Sequence, residues 1–545
     1  MTTIAPWHEF EIELTARADR ANPYTEVDVW VDFVNNSGTT IRRPAFWNGG
    51  RSWRVRFASP GPGTWTWKVD SSVDDAGLRG VTGELVCDAG DGADAGGEAT
   101  QGGEATPAGA ATPGGDATPG AGANRFYRHG FWRMSPKGRS LVHADGRPAI
   151  LCGDTVWSLP WRATEEQVRV YAADRHAKGF NAALLMSVQP DMEARGPRDR
   201  TADEGFDVGF EDLPEGRLTR LNPEYFQYLD RLVSILVEHE IVPVWQPVFF
   251  GFGWKGKKVA GPVVPPADYA RYCRYLVARY GARPAIWLVG GDGSGYEPQV
   301  AAGGEEVERC DAYRQPTGIH YRPHADNRAH QDAPWLDFQW CQTGHTGEHL
   351  SERVADMWRN SPIKAIANGE PTYENGVDPG RGAGWWQGHE AWSNLLAGGT
   401  MGVVYGAGSM WQWRLHAQEP GHAEYFLAAG AGWREALGFE GSTYVGLVAK
   451  ILDGLPTTDM EPNWDQAISR RGVLHPNRLY IAYLANGGEI MILGDKVPPN
   501  YRIVDPQSGD TVRAGSRAAT AGGGTPERLV QTGSGPRVVI FFDEY

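Results

Sequence analysis

Apolar and polar residues alternate with a period of two along residues 1–88. Short segments such as EFEIEL, VDVWVDFV and TWTWKV are rich in Val, Trp and Phe, and turn residues such as Gly61-Pro62-Gly63 separate them. This alternation buries one face of each strand and leaves the other face to solvent. The pattern predicts a small antiparallel β-sandwich over residues 1–88.

The middle of the chain changes to an alternation of strand and helix. Eight apolar segments, among them PAILCGD, FNAALLMSV, AIWLVGGD and IKAIANGE, are separated by stretches that are mostly of helical periodicity. Thr164 and Gln167 form a capping box that starts one helix, and Gly179 marks its end. The pattern over residues 125–453 predicts an α/β fold, a (β/α)8 TIM barrel. An open doubly wound sheet is the alternative, but no GxGxxG fingerprint follows the first strand.

Two further segments flank the predicted barrel. Residues 89–124 consist almost wholly of Gly, Ala, Thr, Pro and acidic residues, without a large apolar side chain. Such a segment cannot bury enough surface to offset its ordering entropy, so we expect a disordered insertion. Residues 454–545 return to short β segments such as LYIAYLA and RVVIFFDEY, which predict a second small β-sandwich.

Charge and cysteine content narrow the class of protein. The formal net charge is −15, so we expect neither nucleic acid nor an anionic membrane as the main partner. The N-terminus MTTIAPWHEFEIEL lacks the basic and apolar regions of a signal peptide, which predicts a cytoplasmic location. The five cysteines are scattered without a CxxC pair, which favours reduced, mostly buried thiols. Nothing here indicates an oligomeric state.

Two carboxylates stand at predicted strand ends directly after glycine, in Gly290-Gly291-Asp292 and in Asn368-Gly369-Glu370. Barrel enzymes work at the carboxyl ends of their strands, and glycine lets the backbone approach a substrate closely. The two strands are the fourth and the seventh of eight. We therefore expect their carboxylates to face each other across the barrel mouth.

A facing pair of carboxylates is what glycoside hydrolysis requires. One must carry a proton for the leaving oxygen, and the other must be ionised to attack the anomeric carbon or to activate water. Repulsion across the cleft and burial beside tryptophan raise the pKa of one of them. We assign Asp292 as acid/base and Glu370 as nucleophile. On the pattern alone, two solvated loop carboxylates or helix N-caps remain the alternative.

Several motifs together resemble one family of enzymes. They are GDTVWSL at 153–159, WLVGGD at 287–292, APWLDFQWCQTGH at 333–345, NGEPTYE at 368–374 and GVVYGAGSMWQW at 402–413. In order and spacing they resemble the apiosidase-like glycoside hydrolases.

The resemblance covers nearly the whole chain apart from residues 89–124, and it carries several implications. It implies an N-terminal Ig-like domain, a C-terminal β domain, Asp292 as acid/base and Glu370 as nucleophile. It also implies a pentofuranoside such as apiose as the sugar, carried on an oligosaccharide or glycoside. By analogy with large barrel glycosidase families, we expect a retaining mechanism.

Other residues near strand ends are candidates for contact with the sugar. Asp154 is expected to bind a hydroxyl, and Tyr373 or Tyr405 to donate a hydrogen bond to the nucleophile, with structural roles as the even alternative. The tryptophans are candidate stacking platforms, although each is individually better explained by barrel packing. The full set of predicted substrate-binding residues is Asp154, Trp157, Gln189, Trp245, His320, Arg322, His324, Gln342, His345, Tyr373, Glu374, Tyr405 and Trp411.

Two rival functions remain open. A cluster of histidines around 320–349 raises the possibility of a metal-dependent barrel hydrolase, since His is a common zinc ligand. The first strand nevertheless ends in GDTVW without the HxH of such enzymes, and no HExxH is present. A non-catalytic carbohydrate-binding barrel is the second rival, although a pure binder has no need for the carboxylate pair. We expect no metal and no cofactor.

Overall fold

The computed structural model describes the chain with several gaps. The described residues are 2–88, 124–190, 192, 208–251, 258–343, 351–376, 384–418, 430–462, 472–475, 479–493, 498–516 and 527–543. The predicted disordered insertion 89–124 lies outside these residues, apart from Asn124.

The N-terminal region forms two facing β-sheets. Its elements are β1 (Thr2–Ile4), β2 (Glu9–Thr15), α1 (Pro23–Glu26), β3 (Val29–Asn35), β4 (Thr40–Pro44), β5 (Phe46–Trp47), β6 (Ser52–Ala58), β7 (Gly63–Ser71) and β8 (Thr82–Cys87). One sheet has the order β1-β8-β7-β3-β4 and the other β2-β6-β5. All pairs are antiparallel except β1 with β8. The alternating apolar residues meet between the sheets, where the rings of Phe33 and Phe57 stack 4.1 Å apart.

A short connecting segment precedes the barrel. It contains α2 (Arg125–His129), β9 (Trp132–Met134), β10 (Leu141–His143) and β11 (Pro148–Ala149). The Asn124 side chain accepts a hydrogen bond from the backbone of Phe126 and so caps α2. The three strands form an antiparallel sheet of their own, which the sequence pattern had not separated from the barrel.

Eight parallel strands form the barrel, as predicted. They are β12 (Leu151–Thr155), β13 (Ala182–Met186), β14 (Val242–Gln246), β15 (Ile286–Gly293), β16 (Thr317–Tyr321), β17 (Phe338–Gln342), β18 (Ala365–Glu370) and β19 (Gly402–Gly406). Their order in the sheet is β18-β17-β16-β15-β14-β13-β12-β19, so the first strand pairs with the second and with the last.

Helices surround these strands. They are α3 (Leu159–Arg162), α4 (Glu165–Lys178), α5 (Pro223–Glu238), α6 (Pro266–Tyr280), α7 (Pro298–Cys310), α8 (Ser351–Trp358), α9 (Trp385–Leu396), α10 (Gly408–Trp411), α11 (Trp433–Ala436) and α12 (Glu440–Leu452). The capping box of Thr164 and Gln167 is present at the start of α4, and Gly179 ends the helix in the left-handed conformation. Within the described residues, none of the helices combines the length and apolarity needed to cross a membrane.

The C-terminal region is again all β. Its strands are β20 (Glu461–Pro462), β21 (Gly472–His475), β22 (Leu479–Leu484), β23 (Gly487–Leu493), β24 (Asn500–Val504), β25 (Thr511–Ser516), β26 (Glu527–Ser534) and β27 (Arg537–Phe542). Six form one antiparallel sheet, and β23 pairs with β26 in another. The His389 ring of α9 lies 2.9 Å from the Tyr483 hydroxyl, which ties this region to the barrel. All five cysteines are buried, as expected for structural thiols.

Candidate active site

Asp292 lies at the carboxyl end of β15, in an irregular stretch of the strand. The register with β16 shifts twice, between Leu288 and Gly290 and again between Gly291 and Gly293. Asp292 is therefore an extra residue without a partner across the ladder, and its φ is +57°. Bulges of this kind redirect side chains beside active sites, and the surrounding glycines accommodate the turn.

Glu370 reaches the barrel mouth through a second irregularity. Ile366 points outward and packs with Val354 of α8, and strict alternation would send Glu370 to the same outer face. The register shift at the end of β17 and β18 makes Gly369 the extra residue, which reverses the direction of Glu370. A Cβ atom at Gly369 would lie 2.9 Å from the His320 ring, so this position requires glycine.

The two shifts bring both carboxylates against one imidazole. His320 of β16 is fully buried, and its Nδ1 lies 3.9 Å from Asp292 Oδ1 while its Nε2 lies 3.5 Å from Glu370 Oε2. One oxygen of each carboxylate and one nitrogen of the ring lie within 4.8 Å of one another. The predicted pair is thus assembled at the barrel mouth, with the His320 ring against both members.

Burial and mutual repulsion separate the two carboxylates electrostatically. Burial raises the pKa of Asp292 well above its usual range, and the negative charge of Glu370 raises it further. Burial also raises the pKa of the Tyr373 phenol, followed by the charges of Glu370 and then Asp292. The raised pKa favours the protonated form of the Asp292 carboxyl, and Tyr373 is a neutral phenol beside Glu370.

Several predicted substrate-binding residues lie with this pair. The ring centroid of Trp157 is 6.0 Å from that of His320, and the ring of Trp411 is 6.5 Å from that of Tyr373. Gln342 is buried at the end of β17, where it pairs with Glu370 across the ladder. These residues supply aromatic faces and an amide near the reacting groups.

One neighbour of the site was missed in the predicted set. A Cβ atom on Gly291, the residue before Asp292, would lie within 2.1 Å of the Gln246 side chain, so Gln246 of β14 faces the barrel interior. Its strand neighbour Trp245, which was predicted to bind substrate, points the other way and stacks on Tyr280 of α6 at 4.5 Å. The period of two along β14 carries this information, because adjacent residues face opposite sides.

Three other predicted residues lie on the outer face of the barrel wall. Asp154 is fully buried, and its carboxylate forms an ion pair with Arg175 of α4 at a distance of 2.6 Å. The Tyr405 hydroxyl donates to Glu374 at 2.7 Å, and the backbone of Gly441 donates to the same carboxylate at 3.1 Å. The structure thus joins Asp154, Tyr405 and Glu374 to helices around the barrel, and does not bring them to the carboxylate pair.

The remaining predicted residues occupy different surroundings. Arg322 and His324 are exposed in the turn after β16, where His324 has a φ of +64°. Gln189 is buried just beyond β13. His345 lies outside the described residues.

Asp292, His320 and Glu370 also have the residue types of a metal site, and their ligand atoms lie within 4.8 Å. The two carboxylates, however, face different nitrogens of the imidazole. A metal ion binds one imidazole nitrogen, so an ion at either nitrogen would lie on the side of one carboxylate. The imidazole therefore lies against both acids and contacts each through a different nitrogen.

A TIM barrel with a pair of carboxylates at its mouth is an arrangement suited to glycoside hydrolysis. A family model described as "Apiosidase-like, catalytic domain" matches residues 135–459, more than half of the chain. The protein therefore belongs to the apiosidase-like family and is a glycoside hydrolase, which sets aside the non-catalytic alternative. A second model, a domain of unknown function (DUF5060), matches residues 3–72.

Solved structures share the architecture at low sequence identity. A glycoside hydrolase with 19% identity aligns with a TM-score of 0.62 over 77% of this chain and 98% of its own. A glycoside hydrolase family 5 protein from Bacteroides vulgatus ATCC 8482 has 19% identity and a TM-score of 0.62 over 76% of this chain and 94% of its own. Another glycoside hydrolase structure from that bacterium has 16% identity and a TM-score of 0.68 over 99% of this chain and 100% of its own. No curated protein matches.

Proposed function

We propose that the protein removes a terminal pentofuranosyl residue, such as apiose or arabinofuranose, from an oligosaccharide or glycoside. The reaction is a retaining double displacement with Asp292 as acid/base and Glu370 as nucleophile. The sugar is suggested by the description of the family, and the mechanism by the geometry of the carboxylate pair.

The spacing of the carboxylates is the observation that carries the mechanism. Oxygens of Asp292 and Glu370 lie within 4.8 Å of each other. Retaining glycosidases hold their carboxyl groups about 5–5.5 Å apart, whereas inverting enzymes need about 6.5–9.5 Å to admit a water molecule. This close approach of one oxygen from each group supports direct attack by one carboxylate.

The electrostatics assign the two roles. The raised pKa of Asp292 keeps its carboxyl group protonated, so it can donate to the leaving oxygen. Glu370 then acts as the ionised partner, with the neutral Tyr373 phenol beside it. Protonation of Asp292 relieves the repulsion between the two carboxylates, which supports its assignment as the proton-bearing member of the pair.

In the first step, a Glu370 oxygen attacks the anomeric carbon as the glycosidic C–O bond breaks. The Asp292 proton moves to the departing oxygen, which leaves as an alcohol. The product is a glycosyl ester of Glu370, and Asp292 is now ionised. Trp157 and Trp411 offer aromatic faces for the sugar ring near this centre.

In the second step, Asp292 accepts a proton from water while the water oxygen attacks the same carbon. The ester bond breaks, Glu370 is restored as a carboxylate and the free sugar leaves. Two inversions give net retention. Because the Glu370 ester carries no negative charge, the pKa of Asp292 falls in the intermediate, which makes Asp292 a better base at this stage.

A panel of aryl α- and β-glycosides that includes pentofuranosides tests the substrate, with proton NMR of the anomeric product on the best substrate. We expect hydrolysis of a pentofuranoside, first release of the anomer with the substrate's configuration, and unchanged turnover in EDTA. First release of the opposite anomer would overturn the retaining mechanism. Hydrolysis confined to hexopyranosides would overturn the proposed sugar, and loss of activity in EDTA would return the metal-dependent alternative.

A further inference from the structure

A second cavity of about 250 Å³ lies outside the barrel mouth, between the N-terminal sandwich and helices α6 and α7. The described residues that line it come from α1, β3 to β6 and these two helices, together with the short connections between them. Small-molecule sites begin at roughly 300 Å³. This space therefore suits one ring, and it is separate from the site that contains the carboxylate pair.

Arginines predominate among the charged residues that line the cavity, and each of them also forms an ion pair with a neighbouring carboxylate. The lining arginines are Arg42, Arg271, Arg274 and Arg309, and Asp28 is the acidic residue among the described lining side chains. Arg271 and Arg274 are only about one-quarter exposed, at 25% and 26%. Each guanidinium has five N–H donors, so a carboxylate partner leaves donors for a ligand. The set is suited to binding an oxyanion.

Aromatic rings form another part of the wall. Trp30, Trp47 and Trp53 line the cavity, and the Arg42 guanidinium lies 5.7 Å from the centre of the Trp30 ring. Such apolar faces complement the CH face of a sugar ring. The combination of indole faces and guanidinium groups therefore favours a ligand that has both an apolar face and a negative charge.

Tyr24 adds a polar group without a protein partner. Its side chain lines the cavity and is 6% exposed, and its buried hydroxyl has no hydrogen-bond partner among the described residues. Burial raises the pKa of Tyr24 well above its ordinary value, so the hydroxyl remains a donor. Buried polar groups are almost always hydrogen-bonded, so this hydroxyl is an unused donor on a side chain that lines the cavity.

We propose that this cavity is a binding site for a single sugar ring that bears an oxyanion, either a carboxylate or a phosphate. Arg271 and Arg274 hold the anion, Trp30 and Trp47 contact the ring, and Tyr24 donates to a ring substituent. The site is independent of the hydrolytic reaction, and it gives an acidic saccharide a second point of attachment to the enzyme.

Isothermal titration calorimetry on the full-length protein tests the proposal with D-glucuronate, glucose 6-phosphate, glucose and inorganic phosphate as probes. We expect saturable binding of at least one acidic sugar, at least about tenfold tighter than that of glucose or of inorganic phosphate, or roughly 1.4 kcal/mol. The tighter of the two acidic sugars identifies the oxyanion. Equal binding of glucose, equal binding of inorganic phosphate, or no binding of either acidic sugar would overturn the proposal.

Substitutions of lining residues test whether the acidic sugar binds in this cavity. Arg271→Gln should weaken the acidic sugar about tenfold and leave hydrolysis of an aryl glycoside unchanged. Arg359→Gln is the matched control, because both arginines form an i,i+3 ion pair with an aspartate and Arg359 does not line this cavity. Tyr24→Phe, which keeps the ring, should weaken binding about fivefold. Unchanged affinity in both cavity variants would show that the sugar binds elsewhere.

Discussion

Buried carboxylates occur both at the barrel mouth and at the junction between sandwich and barrel, and their surroundings are opposite in charge. At the junction, the carboxylate of Asp230 on α5 forms ion pairs with the guanidinium groups of Arg56 at 2.6 Å and Arg279 at 2.8 Å. The carboxylate of Glu9 on β2 forms an ion pair with Arg283 at 2.8 Å. Burial alone would raise the pKa of Asp230, but the charges of Arg279 and Arg56 outweigh it and hold the pKa well below its usual range.

At the mouth, the same kind of group behaves in the opposite way. Burial raises the pKa of Asp292, and the nearest interacting charge is the negative one of Glu370. The comparison shows that burial does not set the direction of the pKa change by itself. Arginine partners stabilise the ionised form of a buried carboxylate in a structural ion pair, whereas a second carboxylate favours its protonated form, as the proposed acid/base role requires.

The largest expected effect is on turnover at the mouth. Glu370→Gln replaces the ionised carboxylate with a neutral amide, which is a poor nucleophile, so kcat on a responsive substrate should fall by a factor on the order of 10⁴ or more, with the melting temperature retained. Glu9→Gln is the matched control, because it neutralises a buried glutamate at the junction. It should lower the melting temperature and keep kcat. Comparable kcat losses in the two variants would erase the functional difference between the regions.

The next effect is on stability at the junction. Asp230→Asn leaves Arg56 and Arg279 without their shared carboxylate, and the free energy of unfolding should fall by about 3–5 kcal/mol. Asp356→Asn breaks the exposed ion pair with Arg359 and should cost about 0–1 kcal/mol. Urea denaturation measures both. A cost below about 1 kcal/mol for Asp230→Asn would mean that the junction does not depend on this cluster.

The pH dependence of stability should have opposite signs in the two regions. Because the folded-state pKa of Asp292 is raised, its contribution to stability falls as pH rises from the ordinary carboxyl range toward the raised pKa. Asp292→Asn should therefore equal the parent in stability at low pH and exceed it at neutral pH. Its advantage should grow by about 1.4 kcal/mol for each pH unit between the ordinary carboxyl pKa and the raised one.

The contribution of Asp230 to stability should depend on pH in the opposite direction, because its folded-state pKa is lowered. Its stabilisation is present above the ordinary carboxyl pKa and is lost as pH falls toward the lowered value, so the deficit of Asp230→Asn should shrink in acid. Thermal or urea unfolding between pH 3 and pH 8 (about the range that spans free carboxyl titration) measures both differences. Two variants with parallel curves would contradict the electrostatic account.

The smallest effect concerns the outer face of the barrel. Tyr405→Phe removes one hydrogen bond to Glu374 and should cost about 1 kcal/mol of unfolding free energy. Since the structure places Tyr405 away from the carboxylate pair, kcat and KM should stay within about twofold. An increase in KM above tenfold, with kcat retained, would return Tyr405 to the substrate site as the sequence had predicted.

The strand order and the location of Asp292 and Glu370 at strand ends could be predicted from sequence because both depend on local pattern. Eight apolar segments alternate with amphipathic ones, and Asp292 and Glu370 each follow glycine at a strand end. The directions of individual side chains could not be obtained in the same way. Glu370 would face outward without the extra residue Gly369, and a bulge leaves no separate signal in the apolar pattern.

Asp154 shows a second reason why site prediction from sequence is incomplete. In the sequence, a carboxylate at a strand end looks the same whether its side chain faces the barrel mouth or the surrounding helices. The partner of Asp154 is Arg175, which lies 21 residues away on α4. That pairing depends on how the helix packs on the strand. Trp245 and Gln246, in contrast, could have been separated, since the period of two within β14 puts adjacent residues on opposite faces.

The most direct test of the central claim is azide rescue of Glu370→Ala with a substrate that has a reactive aryl leaving group. In this variant azide can occupy the space of the missing carboxylate and attack the anomeric carbon while the aryl group leaves. If Glu370 is the nucleophile, azide restores release of the aryl group and forms a glycosyl azide of inverted configuration, detectable by NMR. The absence of rescue, or a glycosyl azide of retained configuration, would contradict the assignment of Glu370 as nucleophile.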